Sequence, residues 1–224
     1  MTSPRAASRL QALELAGPAG RIEALLQESE HRDHAAFAVV CHPHPLFGGT
    51  LHNKVVHRVA GTLHGLGLAV LRFNFRGVGE SEGEHDLGAG ELEDARAALD
   101  FMRVRYPDAR RWLAGFSFGS WVAARLAAGE TDIERLILIA PPVRTQDFSA
   151  MRTAPVPKHV FHGSADDVAA IADLEAEFPR WAEPKTLRRI EGASHFFDKK
   201  LADLSKALEE VLGPAAGTGT SRTT

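Results

Sequence analysis

The sequence has few cysteines, little net charge and no long apolar run, and each of these features excludes a class of protein. It contains a single cysteine, Cys41, so no disulfide can form within the chain, and we expect a protein of the reducing cytoplasm. Lysine and arginine number 26 against 29 acidic residues, and this net charge of −3 gives no reason to expect nucleic acid or an anionic membrane as a partner. The longest apolar runs, such as 136–143, are far shorter than the ~20 residues that cross a bilayer, and no signal peptide is visible.

The length and composition predict one folded domain with a short tail. The chain has 224 residues, of which 44% are hydrophobic and 25% charged, as in an ordinary globular protein. At roughly 150 residues per domain, one domain over residues 1–212 is expected rather than two. Residues 213–224 are small and polar, without apolar anchors, and predict a disordered tail.

Runs of strand length alternate with stretches of helical period along the chain. Two segments around a Gly-Pro turn, 10–15 and 21–27, alternate apolar and polar residues and predict an antiparallel opening pair. Strand–helix repetition after that pair predicts an α/β fold, with one mostly parallel sheet, helices on both faces and the working groups at the carboxyl ends of the strands. The further strands are predicted over 37–41, 68–75, 112–116, 136–140, 158–161 and 186–190, and the helices over 52–64, 91–105, 117–128, 169–178 and 199–212.

The segment 115–119, Gly-Phe-Ser-Phe-Gly, fits the pattern Gly-x-Ser-x-Gly. This pattern is typical of a sharp turn from a strand into a helix, with the serine at its apex and glycines where the two backbones approach closely. The segment lies between a predicted strand and a predicted helix, which is the required setting. Ser117 is therefore the candidate nucleophile, and the alternative is a serine that only caps a helix.

A serine nucleophile needs a histidine to take its proton and a carboxylate to orient that histidine. His195 follows the last predicted strand and is the candidate base, with His162 as a second choice. Asp166 and Asp167 both follow the penultimate strand, and we take Asp166 as the acid and Asp167 as the alternative. The resulting order of serine, aspartate and histidine along the chain is the one expected for such a fold.

The reaction also needs backbone N–H groups that stabilise the negative charge on the substrate oxygen. One donor should be the N–H of Phe118, which follows the nucleophile. The other should come from the loop after strand 37–41. Pro43 and Pro45 carry no N–H, which leaves His44 as the first choice and Leu46 as the second.

Two short patterns suggest a metal site and a dinucleotide site, but the surrounding sequence argues against both. His42 and His44 could form a metal-binding pair, but the accompanying motifs of metal sites are absent, so no metal is expected. The glycine-rich segment 77–83 follows a strand as in dinucleotide sites, yet its spacing is wrong and its glutamates would repel a pyrophosphate. We therefore expect no cofactor.

Several of these segments resemble the α/β-hydrolase superfamily: the loop 76–83, Ser117, Asp166 and His195. More narrowly, His-Pro-His-Pro at 42–45 with Gly48-Gly49, and the segment 72–77, resemble small bacterial serine hydrolases that lack a lid. The resemblance implies an eight-stranded sheet and carboxylic-ester hydrolase activity. It also supports Asp166, which matches the family's Gly-x-x-Asp spacing. One departure is Ala169-Ala170, where relatives often carry Val-Pro.

A lid domain would be inserted after the strand predicted over 136–140, but only about fifteen residues separate Pro142 from the next predicted strand, 158–161. This segment is too short for a lid domain. An open site is therefore expected, and the side chains predicted to border it are Leu46, Phe47, Trp121 and Phe196.

Together these features predict a serine hydrolase that cleaves small carboxylic esters or thioesters through an acyl-Ser117 intermediate. Its partner would be a small-molecule ester. The alternatives are an acyltransferase or peptidase that uses the same triad, and a hydrolase-shaped binding protein without turnover.

Overall fold

The two strands that open the chain form a long antiparallel hairpin. In the computed structural model, which describes residues 8–29 and 34–216, β1 (Ser8–Gly17) pairs with β2 (Gly20–Ser29) along their full length. β2 also pairs antiparallel with a strand of the main sheet. The predicted opening pair is therefore present, and it forms one edge of the sheet.

The rest of the sheet consists of parallel strands. The strands are β3 (Ala36–Cys41), β4 (Ala69–Phe73), β5 (Arg110–Phe116), β6 (Ile133–Ile139), β7 (Lys158–Gly163) and β8 (Lys185–Ile190). The eight strands of the sheet lie in the order β1-β2-β4-β3-β5-β6-β7-β8, and every pair from β4 to β8 is parallel. The carboxyl ends of the six parallel strands therefore meet at one edge, as the sequence predicts.

Helices cover both faces of the sheet and enclose two separate apolar cores. Successive residues of β3 point to opposite faces, so that Phe37 and Val39 lie in one core, and Ala38 and Val40 lie in the other. α2 (Ala89–Arg105), α3 (Phe118–Gly129) and α4 (Ile171–Glu177) pack on the first face, and α1 (Lys54–Gly65) and α5 (Leu201–Ala216) pack on the second. The predicted fold class is confirmed.

Three further features of the fold bear on the expectations from the sequence. Between β6 and β7 the chain carries only one short 3-10 helix, Ser149–Arg152, so there is no lid domain in the part of the chain that the structure describes. The prediction that the last helix ends at residue 212 is wrong, because α5 continues to Ala216. The remainder of the predicted tail, 217–224, lies outside the described residues. Across 8–29 and 34–216, no helix has both the length and the apolar character needed to cross a bilayer.

Candidate active site

Ser117 lies at the apex of the turn between β5 and α3. Its backbone has φ 52° and ψ −120°, which are angles that non-glycine residues rarely adopt. A Cβ on Gly115 would lie 2.1 Å from the carbonyl oxygen of Gly119, and a Cβ on Gly119 would lie 2.4 Å from the carbonyl oxygens of Cys41 and His42. Both glycines of the motif are thus required by backbone contact. The side chain of Ser117 makes no capping hydrogen bond, so the reading as a helix cap is wrong.

The ring of His195 lies between Ser117 and Asp166. His195 Nε2 is 3.0 Å from Ser117 Oγ, and His195 Nδ1 is 2.8 Å from Asp166 Oδ2. His195 and Asp166 are buried, whereas Asp167 is exposed. Of the two adjacent aspartates, the structure brings Asp166 to the histidine.

The carboxylate of Asp166 is held in its ionised form by its surroundings. Its second oxygen, Oδ1, accepts the N–H groups of Val168 at 2.9 Å and Ala169 at 2.7 Å. Burial alone would raise the pKa of Asp166, but the hydrogen bonds from His195 and from the backbone outweigh burial and hold the pKa below its usual value. A charged Asp166 accepts the Nδ1–H of His195, which leaves Nε2 free to accept the proton of Ser117.

His162, the second choice for the base, contacts the acid instead of the nucleophile. It has no solvent exposure, and its Nε2 lies 2.6 Å from the carbonyl oxygen of Ala169 and 3.4 Å from Asp166 Oδ2. Burial lowers the pKa of His162. The histidine therefore braces the turn that presents Asp166, and it is not placed to take a proton from Ser117.

The loop after β3 lies against the first turn of α3, through the contact of Gly119 with the carbonyl of His42. His44 precedes the 3-10 helix Pro45–Phe47, and its Nδ1 accepts the N–H of Leu46 at 3.2 Å. Leu46, the second choice as oxyanion donor, therefore has its N–H occupied. In the described part of the chain, the N–H groups of His44 and Phe118 donate to no protein acceptor and remain available to a ligand.

With this geometry in view, comparison with known proteins identifies the family. Residues 34–159, more than half of the chain, match the family described as serine aminopeptidase, S33. The chain belongs to the α/β-hydrolase superfamily. It is 38% identical to a protein of Rickettsia prowazekii over 205 residues, which are 88% of this chain and 86% of that protein.

Solved structures agree with this assignment. An alpha-beta serine hydrolase homologue from Coxiella burnetii is 36% identical, with a TM-score of 0.86 over 90% of this chain and 97% of that one. A protein of Xanthomonas campestris, described as an a/b serine hydrolase without lid, is 39% identical, with a TM-score of 0.83 over 94% of this chain and 96% of that one. The resemblance seen in the sequence is confirmed at the level of the superfamily.

Three of the four side chains predicted to border the site of this α/β hydrolase are exposed and apolar. Leu46 is 67% exposed, Phe47 is 85% exposed and Phe196 is 43% exposed. Phe196 meets the ring of His195 edge-on, with ring centroids 5.2 Å apart. Trp121 is half-buried, and its indole N–H donates to the carbonyl of Asp147 at 2.9 Å. Of the four side chains predicted to border the site, Leu46 and Phe47 belong to the 3-10 helix after β3, Trp121 to the first turn of α3, and Phe196 to the loop after β8.

The surroundings of His42 do not suit metal binding, and those of Cys41 do not suit nucleophilic catalysis. His42 is buried, and both of its ring nitrogens contact backbone groups, so that neither is free to ligate a metal ion. No cluster of three or more metal-ligating side chains occurs among the residues that the structure describes. Cys41 is buried within β3, and burial raises the pKa of its thiol, which makes it unsuited to act as a nucleophile.

A buried carboxylate beside the oxyanion loop was missed in the sequence. Glu91 of α2 accepts the N–H groups of Asp86 at 3.0 Å and Gly88 at 2.7 Å, and it lies 2.6 Å from His85 Nδ1. Burial would raise the pKa of Glu91, but the backbone hydrogen bonds and His85 lower it overall. The ring of His85 in turn lies 5.0 Å from that of His44. The available signal was an acidic residue in the first turn of a predicted helix, three residues after a glycine.

Proposed function

We propose that this hydrolase cleaves small carboxylic esters or thioesters through an acyl intermediate on Ser117. The observation that carries the proposal is the position of the His195 ring, whose two nitrogens lie within hydrogen-bond distance of the Ser117 hydroxyl and the Asp166 carboxylate. An imidazole held in this way is the general base that a serine hydroxyl requires.

The first half-reaction forms the acyl intermediate. Ser117 Oγ attacks the carbonyl carbon of the substrate while its proton passes to His195 Nε2, and the carbonyl electron pair moves onto the oxygen. The N–H groups of Phe118 and His44 stabilise this oxyanion, each by about 3 kcal/mol. When the intermediate collapses, the bond to the alcohol or thiol breaks, and the leaving group takes the proton from His195.

The second half-reaction restores the enzyme. A water molecule gives a proton to His195 and attacks the acyl carbon, and a second oxyanion forms at the same N–H groups. Its collapse breaks the bond to Ser117 Oγ, which recovers the proton, and the carboxylic acid leaves. Asp166 holds the Nδ1–H of His195 throughout and stabilises the ring while it is protonated.

The exposed rim supports a small substrate with an apolar part. Because His195 protonates the leaving group, Phe196 beside it is positioned to contact the alcohol or thiol portion. Leu46, Phe47 and Trp121 lie on the side of the oxyanion donors and would contact the acyl portion. Such a rim makes few contacts with a substrate, which favours short acyl chains over long ones.

Acyl transfer to an acceptor other than water, or peptide cleavage, would use the same three residues. The family description includes aminopeptidase, and the ammonium group of a peptide substrate would pair best with an acidic side chain that is free to bind it. Glu91 already accepts two backbone N–H groups and lies 2.6 Å from His85 Nδ1. This engagement favours an ester as the substrate.

The test combines labelling with a substrate series. A fluorophosphonate should label the wild type at Ser117 and should not label Ser117→Ala. p-Nitrophenyl esters from acetate to octanoate and a thioester should be hydrolysed faster than the p-nitroanilide of the same acid, with water as the acyl acceptor. A folded wild type that resists the fluorophosphonate, or one that cleaves the anilide faster than the ester, would contradict the proposal.

A further inference from the structure

His42 is a buried histidine that the proposed reaction does not use directly. Its side chain has no solvent exposure. Its Nε2 accepts the N–H of Phe75 at 3.0 Å, and its Nδ1 contacts the carbonyl oxygen of Pro43 at 2.6 Å. Because the Phe75 N–H can only donate, Nε2 must be the unprotonated nitrogen, and Nδ1 carries the hydrogen that it donates to Pro43. The ring is therefore fixed in one tautomer.

The carbonyl of Pro43 belongs to the same peptide group as the N–H of His44. That peptide is trans, so its oxygen and its N–H point in opposite directions. A hydrogen bond that holds the oxygen on His42 therefore directs the N–H of His44 away from His42. Accepting this hydrogen bond also polarises the peptide, which makes the N–H of His44 a stronger donor.

The same peptide is packed from a second side. A Cβ on Gly49 would lie 2.1 Å from the carbonyl oxygen of Pro43 and 2.6 Å from its carbonyl carbon. The carbonyl of His42 itself lies against Gly119 in the first turn of α3, next to Phe118, the other predicted donor. The peptide is thus held between the His42 ring and Gly49, close to the turn that carries Ser117.

We propose that His42 is a positioning residue for oxyanion stabilisation, which aims and strengthens the N–H of His44 by holding the carbonyl of Pro43. This inference rests on the proposed function. It assigns a role to a side chain that does not itself contact the reacting atoms. Burial lowers the pKa of His42 to about 4, so the ring keeps both hydrogen bonds at neutral pH.

The experiment compares an oxoester with the thionoester of the same acid and alcohol. Sulfur is a weaker hydrogen-bond acceptor than oxygen, so the oxyanion donors assist the thionoester less, and the wild type should prefer the oxoester. His42→Leu should lower kcat for the oxoester about 10²-fold with KM changed less than about threefold. It should also reduce the ratio of the two kcat/KM values at least about tenfold.

A conservative variant provides the rescue. His42→Asn carries an amide nitrogen at the position of Nδ1 and can still donate to the carbonyl of Pro43. It should recover part of both the rate and the oxoester preference. The ratio does not depend on the fraction of active enzyme, so partial misfolding of a variant cannot imitate the predicted change.

Two glycine variants test the same peptide without altering His42. Gly49→Ala presses on the carbonyl of Pro43 from the other side and should also lower the ratio. Gly61→Ala in α1 is the matched control, since its Cβ would meet nothing within 4 Å, and it should keep the wild-type ratio. A wild-type ratio in folded His42→Leu and in Gly49→Ala would overturn the positioning role alone. A wild type that neither hydrolyses esters nor reacts with a fluorophosphonate would overturn the proposed function, and this role with it.

Discussion

Asp166 and Asp167 are adjacent in the chain but have opposite surroundings. Asp166 is 7% exposed and accepts the Nδ1–H of His195 at 2.8 Å, whereas Asp167 is exposed. The turn after β7 buries Asp166 and exposes Asp167, and the N–H groups of residues 168 and 169 hold the carboxylate of Asp166. A difference of one position in the sequence therefore separates the carboxylate that contacts His195 from one that is exposed to solvent.

This difference predicts unequal effects of one chemical change. Asp166→Asn should lower kcat about 10³-fold or more, because an amide does not hold the required tautomer of His195 or stabilise its protonated ring. Asp167→Asn removes the same charge one residue away and should stay within about twofold of the wild type. Steady-state rates on p-nitrophenyl acetate measure both, and a similar loss in the two variants would show that net charge matters and contact does not.

The backbone of Ser117 predicts a gain of stability at the cost of activity. Its angles, φ 52° and ψ −120°, suit glycine and cost other residues about 1–3 kcal/mol. Ser117→Gly and Ser117→Ala should both lose at least ~10³-fold in kcat. The glycine variant should nevertheless unfold with a free energy about 1 kcal/mol higher than that of the alanine variant, after the greater freedom of unfolded glycine is subtracted. Urea titration measures the difference, and an alanine variant of equal or greater stability would show that the turn is unstrained.

The buried ring of His42 predicts a dependence of stability on pH. Its pKa in the folded protein, about 4, lies below the ordinary value of 6.5. Between these values the unfolded chain binds a proton that the folded chain does not, so stability falls as the pH falls from 6.5 to 4. At 1.36 kcal/mol per pKa unit, the loss from this group is about 3 kcal/mol.

His42→Asn isolates this contribution. The charges nearest to the ring, those of Glu91 and His44, remain in both proteins. The difference in the free energy of unfolding between the wild type and His42→Asn should therefore shrink by about 3 kcal/mol from pH 7 to pH 4. Chemical denaturation at the two values of pH measures it, and a difference that stays constant would mean that His42 titrates normally in the fold.

The exposed rim predicts a selective effect on longer acyl chains. Phe47→Ser should lower kcat/KM for p-nitrophenyl octanoate about fivefold while acetate changes less than twofold, since each methylene that loses its apolar contact costs about fourfold. Val104→Ser is the matched control, because Val104 is 84% exposed near the end of α2, more than three helical turns after Glu91. The two variants should differ in the ratio of octanoate to acetate rates, and equal ratios would remove Phe47 from the acyl side.

The fold and the elbow around Ser117 could be predicted because their requirements are local. The glycines at 115 and 119 are needed by backbone contacts within one turn and against β3. Continuous apolar runs predicted the parallel strands, because a strand that is buried on both faces admits few polar side chains. The choice of Asp166 over Asp167 needed the family's spacing, because period alone does not give the direction of a side chain in a turn.

The remaining parts of the site depend on contacts between segments that are distant in the chain. His42 and Phe75 are 33 residues apart, and nothing local marks them as partners. The contact of Glu91 with His85 likewise depends on the conformation of the segment that leads into α2. The end of the last helix is predicted at residue 212 because the residues from Gly213 onward are small and polar without apolar anchors, but the structure extends α5 to Ala216.

The missing lid has a consequence for how turnover is limited. Where a cap must swing aside before the ester enters, the frequency of that motion sets an upper bound on the rate. Here only the one-turn helix Ser149–Arg152 stands between β6 and β7. If the proposed ester hydrolysis is correct, an ester would reach the hydroxyl of Ser117 without the opening of a cap, and the exposed apolar side chains around the site would be the ones that discriminate among substrates.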